Sequence, residues 1–127
     1  MSNFALIKQF HEKFDPTGQG EAVTDLLTRR IGYMAEEFRE SAEAAEALLL
    51  AQDTDPVTIA KAKAHLAKEL VDVLQVTYGF LHLLDVDADA AFAEVHRSNM
   101  SKTPNPQGKA IKGENYTPAY MEQFINN

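Results

Sequence analysis

The chain contains no cysteine and no tryptophan. Without thiols there can be no disulfide, no thiolate zinc site and no cysteine nucleophile. Glycine and proline are sparse, six and five of 127 residues, which excludes collagen-like and low-complexity classes. Basic side chains are in deficit as well: 12 Lys and Arg face 19 Asp and Glu, a net charge of −7. That balance argues against duplex nucleic acid or an anionic membrane as a partner held by charge. No apolar run is long enough to span a bilayer, because the most apolar stretch, 70–84, carries Asp72, Gln75 and His82. Residues 1–8 lack the basic stretch and apolar core of a signal peptide, so the expected location is the cytoplasm. What is present, 45% apolar and 24% charged residues over the length of one domain, describes a folded protein with a single core across 1–127.

The apolar pattern is helical nearly throughout. Phe4, Ile7, Phe10 and Phe14 recur at spacings of three and four, one stripe on a short helix over 3–14. Pro16, Gly18 and Gly20 then break it. A long helix is expected over 24–51, with Thr24 as N-cap and Leu27, Ile31, Met34 and Phe38 along one side. Asp55 is placed to cap a third helix and Pro56 to open it. This helix is expected to reach residue 84, presenting Leu66, Leu70, Val73, Thr77, Phe80, Leu81 and Leu84. Asp87 caps a fourth over 88–100, and beyond Lys102 the prolines and glycines read as ordered loop with a last turn at 120–124. No segment alternates long enough to predict a strand. The expected fold is all-α, an antiparallel bundle of four to five helices. Because the third helix is apolar around most of its circumference, a partner subunit is expected to complete it, as a homodimer or a dimer of dimers.

Two acidic groups stand out. Residues 34–53 hold six acids and one arginine, a net −5 on one stretch of helix. Glu36, Glu40 and Glu43 fall within about 60° of one another around the axis, with Glu37 beside them. Glu69 and Asp72, three apart on the third helix, border an apolar stripe. An uncompensated carboxylate there would cost roughly several kcal/mol or take up a proton. Carboxylates facing each other across two packed helices offer hard oxygen ligands suited to Mg²⁺ or Mn²⁺. The bland alternative, a solvated acidic face, suits Glu43 and Glu46 better.

A basic stretch balances them. Residues 94–112 carry Arg97, Lys102, Lys109 and Lys112 against Glu94 alone, a net +3. Such residues can hold phosphate oxygens. Phe10 and Phe14 could stack on a base but read first as core, and His82 reads as a core or interface histidine. His11, His65 and His96 are given no catalytic role. Tyr78, Asn115 and Tyr116 are further pocket candidates.

These motifs together resemble the all-α nucleoside triphosphate pyrophosphohydrolases, which include MazG, the dimeric dUTPases and phosphoribosyl-ATP pyrophosphohydrolase. The resemblance rests on Glu36-Glu37-x-x-Glu40 and Glu69-x-x-Asp72, about 30 residues on. It extends through 94–102 to Lys112-Gly113-x-Asn115-Tyr116-x-Pro118, and so covers most of the chain from Arg30 to Pro118. It implies hydrolysis of a nucleoside triphosphate to the monophosphate and pyrophosphate with Mg²⁺. Glu37, Glu40, Glu69 and Asp72 match the metal ligands, and Glu36 the position that holds a further metal or orients the attacking water. The resemblance points first to Asn99 and Lys102, then to Arg97 and Lys112, as substrate-binding residues, and Tyr116 is the pocket candidate expected to join them. The expected role is house-cleaning of dUTP or another non-canonical nucleotide. The alternatives are phosphoribosyl-ATP hydrolysis in histidine biosynthesis and a non-catalytic helical dimer. A di-iron bundle is disfavoured because no Glu is followed three residues later by His. A P-loop enzyme is excluded by the lack of a Gly-rich loop ending in Gly-Lys-Ser/Thr.

Overall fold

A computed structural model describes residues 1–14 and 21–125. The proline–glycine break at 16–20 lies outside the described residues. The fold is all-α, as the periodicity predicts. Helix α1 spans Asn3–Phe14, α2 Val23–Leu50, α3 Pro56–Leu83 and α4 Ala88–Met100, and a 3-10 turn at Ala51–Asp53 joins α2 to α3.

The helix boundaries have local causes. The Asp55 carboxylate accepts the Thr58 N–H at 2.9 Å, and Pro56 follows where its missing N–H costs nothing. Asp87 accepts from the N–H groups of Asp89 and Ala90 and starts α4 in the same way. Thr24 does not cap α2. The cap is Ala22, without a side-chain bond, and Thr24 sits in the first turn, where its carbonyl accepts the Thr28 hydroxyl. α3 ends where Asp85 adopts φ 56° and the Val86 N–H returns to the Leu81 carbonyl, a left-handed termination that Asp tolerates better than most residues.

The most extensive contact is between α2 and α3, an antiparallel hairpin closed by the short connection. α1 packs on α3, and α4 folds back against it. Among the described residues the buried apolar set is small: Phe4, Ile7, Leu26, Val86 and four alanines. Several residues of the predicted stripes are instead exposed, among them Ile31, Phe38, Leu70, Leu84, Phe10 and Phe14. One chain has too few helices to cover every apolar side of a four-turn or longer rod.

After α4 a strand pair appears that alternation could not reveal, since each strand has only two residues. β1 (Thr103–Pro104) pairs antiparallel with β2 (Ala110–Ile111), Thr103 opposite Ile111. Asn105 builds the turn, its side chain accepting from the N–H groups of Gln107 and Lys109, and Gly108 supplies φ 83°. Gly113 lies so close to the Thr103 side chain that a Cβ there would collide with it. The last turn is a 3-10 segment at Glu122–Phe124. Among the described residues no helix is long and apolar enough to cross a membrane.

Candidate metal centre and the cavity beside it

Halfway along the α2–α3 hairpin, the i, i+3 spacing puts Glu37 and Glu40 on the side of α2 that meets α3, opposite Glu69. One carboxylate oxygen from each of these three residues lies within 4.8 Å of the others. Glu69 is buried, with 6% exposure, and Glu37 and Glu40 are half-buried. Among the described residues, Glu37 Oε2 and Glu69 Oε2 are buried and have no hydrogen-bond partner. A buried carboxylate oxygen without a partner is costly, and the three carboxylates that converge here repel one another. Burial raises the Glu37 carboxyl above its ordinary value, and the neighbouring charges of Glu40, Asp72 and Glu69 push it further. A donor set of hard oxygens, close-set and short of positive charge, fits a hard divalent cation.

Asp72 stands one turn beyond Glu69, half-buried, close enough to add to the charge on Glu37. Its Oδ2 accepts an ion pair from Lys68 Nζ at 2.7 Å. Glu36 is exposed on α2 and falls outside the three-carboxylate cluster.

The basic positions lie elsewhere. α4 covers the α3 face made by Leu74, Thr77, Tyr78 and Leu81, with an apolar groove of about 280 Å³ between them. At 100° per residue that face is about 160° around α3 from the midpoint of Glu69 and Asp72. Among the described residues no hydrogen bond or ion pair links Arg97, Asn99, Lys102, Lys112 or Tyr116 to the four acids. Arg97 is occupied nearby: Nε donates to Glu94 Oε1, Nη1 to the Thr117 hydroxyl at 2.7 Å and Nη2 to the Pro118 carbonyl at 3.1 Å. The Lys112 ammonium sits 5.2 Å from the centre of the Tyr116 ring. Asn99 is exposed and Lys102 half-buried. The terminal residue of α4 is Met100, so Asn99 does not serve as a left-handed cap.

One turn along the hairpin from the acids, Tyr33 on α2 and Gln75 on α3 border a cavity of about 410 Å³. Phe10 and Phe14 of α1 also line it, as do Arg30 and Arg29, the latter ion-paired with Glu21 at 3.1 Å. The two phenylalanines are 49% and 61% exposed, so the reading of both as core does not hold. Their rings meet each other in a tilted contact at the cavity wall, centroids 5.1 Å apart and planes at 44°. Behind them is a feature that hydropathy could not reveal, a buried His11–Arg30 pair. Arg30 Nη2 donates to His11 Nδ1 at 3.4 Å, and the His11 ring lies 5.3 Å from that of His82. Gly79 makes room for both, since a Cβ there would stand 2.8 Å from His11 Nε2. Glycine in mid-helix was the available signal for this close approach.

A family model described as phosphoribosyl-ATP pyrophosphohydrolase matches residues 6–99, taking in most of α1, all of α2 and α3 and nearly all of α4. No curated protein matches the chain.

Proposed function

The chain belongs to the phosphoribosyl-ATP pyrophosphohydrolase family of the all-α MazG-like superfamily, hydrolases of phosphoric anhydrides, and from that premise we propose how its site works. Glu37, Glu40, Glu69 and Asp72 hold Mg²⁺, with Mn²⁺ as a substitute, in one cytoplasmic domain. The observation that carries this is the meeting of three carboxylates within 4.8 Å, with two buried oxygens left unpartnered. When bound, such an ion screens a polyphosphate, lowers the pKa of a water and steadies the charge that develops on a pyrophosphate leaving group. Water adds to phosphorus, the α–β anhydride bond breaks, and a monophosphate and pyrophosphate depart. Glu36, exposed beside the cluster, is the group we assign to orienting that water.

The nucleoside goes to the neighbouring cavity, where Phe10, Phe14 and Tyr33 offer ring faces and Gln75 an amide. Two substrate readings differ in how they use that cavity. Phosphoribosyl-ATP carries a second anionic group on its base, which would meet Arg29 on the cavity wall in competition with its ion pair to Glu21 at 3.1 Å. A non-canonical nucleotide such as dUTP would use only the rings and the amide. The family match favours the first.

We assign the exposed apolar residues of α3 and α4, including Leu70, Val71, Phe92 and Met100, to a homodimer interface. Since α4 lies on the face of α3 turned away from the acids, we assign Asn99, Lys102, Lys112 and Tyr116 to the phosphates of a site on another copy. Arg97 then acts by holding that segment in shape.

The test is to incubate the protein with phosphoribosyl-ATP, dUTP and the common nucleoside triphosphates, with Mg²⁺ or Mn²⁺, and assay pyrophosphate and monophosphate. Turnover of one substrate class that is lost in Glu37→Gln and Glu69→Gln supports the assignment. Turnover that survives both substitutions, or no cleavage with either metal, rejects it.

A further inference from the structure

Lys68 is the one cation the described structure places in contact with the acidic cluster by ion pairing through an ammonium group. Its Nζ lies 2.7 Å from Asp72 Oδ2 and 3.7 Å from Glu69 Oε1. The i, i+4 spacing sets the first contact and adjacency the second. Both acids belong to the set assigned above to the metal, and Glu69 Oε2 beside them has no partner. The lysine itself is 67% exposed, on a flexible four-carbon stem at the rim of the site. An exposed pair of this kind is weak and easily opened. Its neighbours also hold the ammonium more firmly protonated than usual, chiefly through the hydrogen bond to Asp72. His65 approaches the same Glu69 oxygen, but at 3.9 Å and from a more distant ring nitrogen.

We propose that Lys68 is the exchangeable counter-ion of this site: it holds Asp72 and Glu69 together until a divalent cation displaces it. The inference rests on the metal-binding reading above and adds a residue to it. One positive charge against four carboxylates is enough to limit their repulsion yet too little to satisfy them. A divalent ion, able to reach the two buried oxygens that the ammonium does not touch, wins the exchange. Lys68 therefore acts as a positioning residue that sets the affinity of the site, not as a group that touches the reacting atoms.

The experiment is titration of the nucleotide-free full chain with Mn²⁺ alone, followed by the paramagnetic signal of free ion and by thermal melting. Wild type is compared with Lys68→Met, Lys68→Arg and Lys61→Met, the last removing a lysine two turns away on the same side of α3. Lys68→Met should bind Mn²⁺ about 3- to 10-fold more tightly at low salt, with Lys68→Arg close to wild type and Lys61→Met changed by less than about 2-fold. Without Mn²⁺, Lys68→Met should melt below wild type, and saturating Mn²⁺ should close that gap. Saturable binding by wild type that Lys68→Met leaves unchanged or weakens overturns the counter-ion role while leaving the metal site standing. If wild type shows no saturable binding, the metal reading fails and the exchange fails with it.

Discussion

In the middle of the α2–α3 hairpin, Glu37 and Glu69 each keep a buried oxygen without a partner, whereas among the described residues no buried side-chain atom behind α4 is left unpartnered. The Glu94 carboxylate receives Arg97, the Tyr120 N–H and the Gln123 amide. Ser98, buried at 4% exposure, donates to the Thr117 carbonyl at 2.8 Å, and the Ser101 hydroxyl accepts the Thr117 N–H. The two regions also displace their carboxyl groups in opposite directions. Glu37 is raised, chiefly by burial, and Glu94 is lowered, chiefly by the Arg97 hydrogen bond. A region that satisfies its own charges is a clasp. A region that leaves them unmet, inside a family of anhydride hydrolases, is prepared for something that arrives.

The strongest way to break this contrast is to neutralise one acid in each region and compare the consequences. Glu69→Gln should cut pyrophosphohydrolase turnover by at least about 10²-fold, beyond the 10- to 100-fold typical of an outer-shell group, while circular dichroism stays helical. The same measurement on Glu94→Gln should show a far smaller loss. If the ranking reverses, the acidic cluster is not the working site. The clasp is next. Ser98→Ala should cost about 1 kcal/mol by denaturant melting, because it leaves the buried end of the Thr117 contact unmade. Arg97→Met should speed amide exchange across 101–120 and leave the exchange of α2 and α3 unchanged. Equal rates in the variant and wild type would remove Arg97 from the clasp.

The parts of the molecule that could be read from sequence are those fixed by short-range rules. Asp55-Pro56 and Asp87 mark helix starts because a carboxylate accepts N–H groups two or three residues on, wherever the helix later packs. Glu37, Glu40 and Glu69 meet because residues three apart share a helix face and the hairpin is antiparallel. Thr24 fails as a cap because Ala22 already has the extended backbone that a cap position needs, so the helix begins before the threonine. Phe10 and Phe14 show the limit of periodicity. It assigns them a face but cannot say whether a neighbouring helix reaches that face, and here a cavity lies there instead. Arg30 and His11 escape hydropathy for the converse reason: the buried polar pair depends on Gly79, nearly 50 residues beyond Arg30, and that mid-helix glycine is the one sequence trace of it. The Lys68–Asp72 pair obeys the i, i+4 rule within α3, but the carboxylates that make the cluster crowded, Glu37 and Glu40, come from α2 and join it only through helix packing.

The smallest effect gives the cleanest comparison, because the two regions should answer acid with opposite signs. A carboxyl held below its ordinary value of 4.5 contributes stability above that value and loses it as the pH falls through the lowered one. Glu94→Gln should therefore melt below wild type at pH 7, with the gap closing in acid below about pH 4. Glu37 is held above the same ordinary value, so its neutral form is the favoured one in the metal-free fold. The stability it contributes is complete below that value and is lost as the pH rises through the raised one. Metal-free Glu37→Gln should thus melt above wild type at pH 7, by roughly 0.2–0.5 kcal/mol for each like-charged neighbour relieved, and match it below about pH 4. Differential scanning fluorimetry of both variants across pH 3 to 8 in chelator reads the two slopes side by side. Slopes of the same sign would mean that the acids on α2 and α3 are ordinary solvated carboxylates, and the contrast between a prepared site and a closed clasp would disappear.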